Sequence, residues 1–236
     1  MFTGDSTSDP STGHEWYDLA STGFVASVNA KFSPRPAKVY AAVCSGVAAT
    51  VTGTAATHVP VPLPGAITVI GAGRGGTTIA NLQSDIANEL AVNIPAVVFI
   101  SIGTNDVSNS TPTATFRASY DATLATINGW NGGRTRVVCM SVYAQNESWL
   151  AGPPVAWNNA RDSLVDGINA QIQASAAAAG AVYVDTRSQL LLWEVVNNPG
   201  QAATGFALLA DGIHLSAPAG KQQIGNYALE QVAVVP

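Results

Sequence analysis

The chain has 236 residues, of which 47% are hydrophobic and 11% charged, so it is not an intrinsically disordered protein and suits a single domain over residues 1–236. Its net charge is −5 and it has three lysines, which excludes the basic stripe of a nucleic-acid binder. No apolar run approaches the roughly 20 residues of a transmembrane helix, so we expect no membrane span.

The first predicted strand covers only residues 1–3, directly before Gly4-Asp5-Ser6. Strands usually run about 5–6 residues, so either this one is short or apolar residues upstream of Met1 would lengthen and stabilise it. No signal-peptide pattern precedes it. The low charge and the few lysines are compatible with an exported or virion-associated protein, and localisation stays open. An amphipathic helix is predicted next, over residues 15–30.

Residues 38–64 have a different composition, with many small and β-branched residues, turn signals at Gly46 and Gly53, and three prolines near the end. This pattern predicts a β-hairpin or two, inserted at one edge of the fold. Cys44 lies here and Cys139 lies in a later apolar strand. The two could form one disulfide, but the apolar surroundings of Cys139 favour a buried free thiol.

The rest of the chain alternates apolar strands with amphipathic helices. Strands are predicted at residues 66–70, 96–102, 136–142 and 181–184, and helices at 79–90, 116–127, 157–179 and 218–234, the last with Ser216 as its N-cap. This alternation predicts an α/β sandwich around a mostly parallel sheet. Ligands of such sheets bind at the carboxyl ends of the strands.

Four polar stretches carry the candidate chemistry: Gly4-Asp5-Ser6, residues 71–76, Gly103-Thr104-Asn105-Asp106 and Asp211-Gly212-Ile213-His214. A serine hydroxyl becomes a good nucleophile when a base takes its proton. Asp211, three residues before His214, can bind one ring nitrogen and leave the other facing Ser6. The Asn105 amide could donate a hydrogen bond to an oxyanion.

Each candidate also has an ordinary structural interpretation. Ser6 could cap a helix, and Asp211 with His214 could shape the turn before the last helix. Asn105 could close an Asx turn, a role expected of Asp106 in any case.

Two tryptophans, Trp149 and Trp157, flank Gly152-Pro153-Pro154 after the fourth predicted strand. They either wall an acyl or sugar pocket or pack over a loop.

Residues 71–76 fit the G-x-G-x-x-G pattern of a dinucleotide site, since they follow a strand and precede a helix. The acidic residue expected about 20 positions later is missing, and no lysine follows Gly76 as a P-loop requires. A nucleotide-binding protein is therefore disfavoured. The absence of G-x-S-x-G disfavours the α/β-hydrolase fold, and no Cys/His cluster has metal-ligand spacing.

In this order, the four stretches resemble the SGNH (GDSL-type) hydrolase family over nearly the whole chain. The resemblance implies a flavodoxin-like three-layer α/β/α sandwich with a mostly parallel five-stranded sheet, and neither cofactor nor metal. It implies a catalytic triad in which Ser6 is the nucleophile, His214 the base and Asp211 the residue that orients the base.

The resemblance also implies an oxyanion hole formed by the Ser6 N–H, Gly75 and Asn105. Gly75 is chosen over Gly76 because the glycine of the family usually stands two residues before a Thr or Ser. The chain departs from the family in its short first strand and in the length of residues 38–64.

The sequence thus predicts a serine esterase that hydrolyses carboxylic esters through an acyl-enzyme. Its expected substrates are small-molecule or carbohydrate esters with short acyl groups, acetyl among them, because the family implies a shallow, open site. One alternative is a lipase or thioesterase of the same family. Another is a non-catalytic carbohydrate-binding or structural module, against which the intact set of five site residues argues. The oligomeric state is not predicted.

Overall fold

A computed structural model of the protein describes residues 1–5, 37–41, 67–143, 159–197, 214–215 and 218–233. Several predicted features lie outside these residues: the helix at 15–30, most of the segment at 38–64, both tryptophans near residue 153, and the Ser216 cap.

The centre of the fold is a parallel sheet. Its six described strands are β1 Phe2–Gly4, β2 Ala37–Ala41, β3 Ile67–Gly71, β4 Val97–Ser101, β5 Arg136–Met140 and β6 Val182–Val184. They are arranged in the order β2-β3-β1-β4-β5-β6, and every strand pairing is parallel. Without the edge strand β2, this is the flavodoxin-like order. The predicted fold class is confirmed.

The strand count is one higher than expected, because residues 37–41 join the sheet. This segment pairs in parallel with β3 from Ala37 opposite Ile67 to Ala41 opposite Gly71. The described part of the predicted hairpin insertion is therefore an edge strand of the main sheet. Turn signals close to this segment predict a hairpin, whereas parallel pairing depends on a partner distant in sequence and has no local signal. Residues 42–64 of the predicted insertion lie outside the described residues.

The short β1 lies in the middle of the sheet between β3 and β4, with all three residues buried. The Phe2 ring stacks on the Phe99 ring, with centroids 4.7 Å apart. Three residues suffice to pair with β4 from Phe2 opposite Phe99 to Gly4 opposite Ser101.

Six helices belong to the described residues: α1 Ile79–Asn93, α2 Thr104–Ser108, α3 Thr113–Gly129, α4 Asn159–Ala179, α5 Thr186–Asn197 and α6 Pro218–Ala233. A 3₁₀ turn at Trp130–Gly133 follows α3. Helix α3 packs against both α1 and α4. Helices α5 and α6 pack on each other, and α6 contacts β6. The four long helices were predicted, whereas α2 and α5 were not.

The main core lies between the sheet and the helices α1, α3 and α4. Val98 and Ile100 of β4 belong to this core, whereas Phe99 points to the other face because side chains alternate along a strand. Cys139 of β5 also belongs to it and is a buried free thiol, as predicted. Strands covered on both faces explain the near-continuous apolar runs in the sequence.

Candidate active site

The order of the strands indicates where a ligand would bind. From β1 the chain passes to β2 and β3 on one side, and then to β4 on the other side. Ligands of open parallel sheets bind outside the carboxyl ends of the strands at such a switch point. Three of the four polar stretches begin there, since Asp5 follows β1, Ala72 follows β3 and Ile102 follows β4.

Gly4 and Asp5 fix the carboxyl end of β1. Gly4 has φ of 140°, and a Cβ atom on it would lie 1.8 Å from the carbonyl oxygen of Ser101, so only glycine fits. The Asp5 N–H donates to the same oxygen at 3.1 Å. The buried Asp5 carboxylate accepts a hydrogen bond from the Thr104 N–H at 3.2 Å. These contacts therefore hold Gly4 and Asp5 in place at the end of β1.

The glycine-rich turn runs beside the end of β1. The Ala72 N–H donates to the Phe2 carbonyl at 2.7 Å, and the Arg74 N–H donates to the Gly4 carbonyl at 3.1 Å. Gly75, the predicted oxyanion donor, follows directly and is half-buried. These two bonds place the backbone of Gly75 next to the strand end that leads to Ser6.

Asn105 lies in the first turn of α2 and is half-buried. Its Nδ2 donates to the Thr77 carbonyl at 3.0 Å, which joins α2 to the end of the glycine-rich turn. This contact crosses between two segments, so it is not an Asx turn. An amide nitrogen carries two hydrogens, and the bond to Thr77 uses one of them, so the group can also donate to a ligand.

Asp106 makes a long-range contact in addition to hydrogen bonds with Thr111 and its own backbone. Its Oδ2 accepts a hydrogen bond from the Ile79 N–H at 2.9 Å, so the carboxylate caps the first turn of α1. Burial raises the pKa of Asp106 to about 6, although the bond from Ile79 lowers it. Thr78 caps the same helix through a capping box with Asn81. Helix α1 therefore begins immediately after the glycine-rich turn.

A buried ionic cluster under the glycine-rich turn was missed from the sequence. Arg74 is 2% exposed, and its Nη1 lies 2.5 Å from Asp85 Oδ2 while its Nη2 lies 3.2 Å from Glu89 Oε1. Thr3 Oγ1 of β1 donates to Glu89 Oε2 at 2.6 Å. Burial raises the pKa of Glu89 to about 7, against the effects of Thr3 and Arg74. The sequence contains one indication of this cluster: Asp85 and Glu89 are two acidic residues four positions apart, beside the apolar residues of α1.

The next strand end along the sheet is also held by buried polar groups. Asn169 of α4 exchanges two hydrogen bonds with the backbone of Val142, at 2.8 and 3.0 Å. Arg187 of α5 donates to the Tyr143 carbonyl at 3.1 Å and to the Asp162 carboxylate. Buried hydrogen bonds therefore hold the strand ends on both sides of β4.

The predicted site residues are only partly described by the structure. Gly75 follows Arg74, whose N–H donates to the Gly4 carbonyl, and Asn105 binds the Thr77 carbonyl at the end of the same turn. Their role as oxyanion donors remains a prediction. His214 is half-exposed, and α6 begins four residues after it. Ser6 and Asp211 lie outside the described residues, so the catalytic triad remains a prediction.

A cavity of about 370 Å³ lies at the opposite edge, around the amino-terminal ends of β4, β5 and β6. Its polar lining comes from side chains such as Asn128, Thr135 and Arg136. It has no nucleophile with an adjacent base among its lining residues, so it does not compete with the switch point as a candidate active site.

Solved structures of similar fold include esterases and a lipolytic protein. An acetyl xylan esterase is 18% identical, with full coverage of both chains and a TM-score of 0.67. A lipolytic protein of the G-D-S-L family from Veillonella parvula DSM 2008 is 15% identical, with 99% and 97% coverage and a TM-score of 0.61. An acetyl xylan esterase from Geobacillus stearothermophilus is 18% identical, with 98% and 92% coverage and a TM-score of 0.59. At these identities, the likeness establishes the fold.

A flavodoxin-like sheet with polar turns at its switch point places the chain among the α/β proteins whose ligands bind at the carboxyl ends of the strands. The profile of the GDSL-like lipase/acylhydrolase family matches residues 2–221, so the chain belongs to this family. It is therefore an ester-hydrolysing enzyme of the acylhydrolase class. No curated protein sequence matches the chain significantly. Across the described part of the chain, no helix is long and apolar enough to cross a membrane.

Proposed function

We propose that the protein is a serine esterase that cleaves short-chain carboxylic esters, including acetyl esters of carbohydrates, through an acyl-enzyme. In this proposal, Ser6 is the nucleophile, His214 is the general base and Asp211 orients His214. The N–H groups of Ser6 and Gly75 and the side-chain amide of Asn105 form the oxyanion hole.

One observation carries the proposal: the ends of β1 and β3 and the start of α2 are hydrogen-bonded together at the topological switch point. Asp5 binds the Thr104 N–H, and Asn105 binds the Thr77 carbonyl. The Arg74 N–H, directly before Gly75, also binds the Gly4 carbonyl, so these contacts support Gly75 and Asn105 as two of the three proposed donors. Donors held in place before the reaction stabilise charge that develops in the transition state.

The chemistry follows from these roles. Ser6 Oγ attacks the ester carbonyl as His214 takes its proton, and the oxyanion hole holds the negative oxygen of the tetrahedral intermediate. The intermediate collapses, His214 protonates the leaving alcohol, and an acyl-Ser6 ester remains. Water, deprotonated by His214, attacks this ester and releases the carboxylic acid. Asp211 keeps His214 in the tautomer that both steps need.

The preference for short acyl groups rests on the open site that the family implies, and two of the structural neighbours are acetyl xylan esterases. Two assays test this preference for short acyl groups. One is hydrolysis of p-nitrophenyl esters from acetate to palmitate, and the other is release of acetate from acetylated xylo-oligosaccharides. We expect the highest kcat/KM for acetate or butyrate. A maximum at palmitate would make the enzyme a lipase instead.

Two variants make this assay specific. Ser6→Ala removes the proposed nucleophile, and Ser84→Ala is the matched control because Ser84 is exposed on α1. Esterase activity in the control and its loss in Ser6→Ala support the proposal. A wild-type protein that binds acetylated oligosaccharides but hydrolyses no ester would instead be a binding module.

A further inference from the structure

We propose that the buried ionic cluster positions the oxyanion hole for catalysis, beyond its contribution to folding. We call it the Arg74 network and define it by four residues: Thr3, Arg74, Asp85 and Glu89. The inference rests on the proposed esterase function, because it concerns the placement of Gly75 relative to Ser6.

The contacts form a closed path through three elements. The Arg74 main chain donates to the Gly4 carbonyl of β1, and its side chain binds Asp85 and Glu89 of α1. Glu89 in turn accepts a hydrogen bond from Thr3 of β1, which closes the path. Arg74 is therefore held at its backbone and at the end of its side chain. Since Gly75 is the next residue, these contacts restrict where its N–H can lie.

The residue types in the Arg74 network are better suited to positioning the glycine-rich turn than to stabilising the fold alone. Charged groups lose hydration when they are buried, and apolar residues of similar volume often stabilise a protein equally well or better. A guanidinium group, however, presents its donors in a fixed plane, so two carboxyl groups fix its orientation as well as its position. The turn that Arg74 fixes holds a glycine, which has no side chain of its own to anchor it.

The position of the donors matters because misplacement of catalytic groups by about 1 Å can cost about 10²-fold in rate. Loss of one oxyanion donor costs about 10²–10³-fold in kcat. A network variant that loosens the turn without removing the donor should therefore lose less, about 10- to 100-fold in kcat. KM should stay within about twofold, because the oxyanion forms only in the transition state.

The test uses the full chain and three variants: Glu89→Gln, Thr3→Val and Arg74→Met. Arg117→Met is the matched control, because Arg117 pairs with Asp121 at the surface of α3. Two quantities are measured in each protein: kcat and KM for the best p-nitrophenyl ester, and the inhibition constant of an alkylboronic acid. The boronate forms a tetrahedral adduct with a catalytic serine and reports on the oxyanion hole directly.

We expect kcat and boronate affinity to fall together in the network variants and to stay unchanged in Arg117→Met. If the network only stabilised the fold, its variants would have a lower melting temperature, but kcat and boronate affinity of the folded protein would be unchanged. That result, or a change in KM alone, would overturn the inference. If Arg74→Met does not fold, the near-isosteric Glu89→Gln and Thr3→Val decide the question. Because Thr3 donates to Glu89, the effects of Thr3→Val and Glu89→Gln on kcat should be less than additive when both are combined in one double variant.

Failure of this inference can be told apart from failure of the proposed function. A wild-type protein that hydrolyses no ester of the series, although folded, overturns both. An active wild-type protein that loses activity in Ser6→Ala, but keeps full kcat and boronate affinity in all folded network variants, overturns only the positioning role.

Discussion

The free energy of unfolding should depend on pH because of the buried carboxyl group of Glu89. Its carboxyl group lies in the core with Thr3, Arg74 and Asp85 around it, and burial raises its pKa from 4.5 to about 7. Between these two values, the native state keeps a proton that the unfolded state has released. The free energy of unfolding must therefore fall as the pH rises through this range.

The size of the effect follows from the shift. A pKa difference between 4.5 and about 7, at about 1.4 kcal/mol per unit, corresponds to about 3 kcal/mol. This contribution is fully present below pH 4.5 and is lost as the pH passes about 7. Glu89→Gln removes the titrating group. The stability of this variant relative to the wild type should therefore rise by about 3 kcal/mol between pH 4.5 and pH 8.

Urea unfolding of both proteins at half-unit intervals of pH measures this difference. Asp106, whose burial raises its pKa to about 6, contributes a slope of the same sign, but it is present in both proteins and cancels. Glu230→Gln, at an exposed position of α6, is the control and should show no such trend. A difference between Glu89→Gln and the wild type that is constant within about 0.5 kcal/mol, or that falls with pH, would refute the reasoning.

Four further predictions concern the site. Ser6→Ala should lower kcat by about 10⁴–10⁶-fold with unchanged circular dichroism, and retention of a tenth of the activity would exclude Ser6 as the nucleophile. Asp211→Asn should cost no more kcat than His214→Ala, because a carboxylate orients the base without transferring its proton; the reverse order would contradict this role. Asn105→Ala should lower kcat by about 10²–10³-fold at constant KM, as expected for an oxyanion donor, whereas a pure KM effect would make Asn105 a substrate-binding residue. Gly4→Ala should give no stable folded protein, because its Cβ would lie 1.8 Å from the Ser101 carbonyl oxygen; a normal urea transition would contradict this.

The sheet could be predicted from the sequence largely because its strands are buried on both faces. The apolar run that became β4 and the regular spacing of Ile79, Leu82 and Ile86 in α1 are local signals that burial produces directly. The polar stretches at the strand ends could be predicted for the same reason, since a buried strand ends where polar residues begin.

The features that were missed depend on contacts between distant segments. The direction of β2 is set by its pairing with β3 and not by its own residues. Arg74 lies in a turn of glycines, where an arginine usually faces solvent. Its burial becomes evident only when α1 brings Asp85 and Glu89 beneath the turn. Asp106 likewise caps a helix that begins 27 residues earlier in the chain.

Covalent labelling can show whether Ser6 is the nucleophile that this ester hydrolase uses. A fluorophosphonate reacts with an activated serine and leaves a stable phosphonyl group on its Oγ, which peptide mass spectrometry can locate. We expect one adduct per chain, on the peptide that contains Ser6, and none in Ser6→Ala. An adduct on another serine, or ester hydrolysis that continues without any adduct, would exclude Ser6 as the nucleophile.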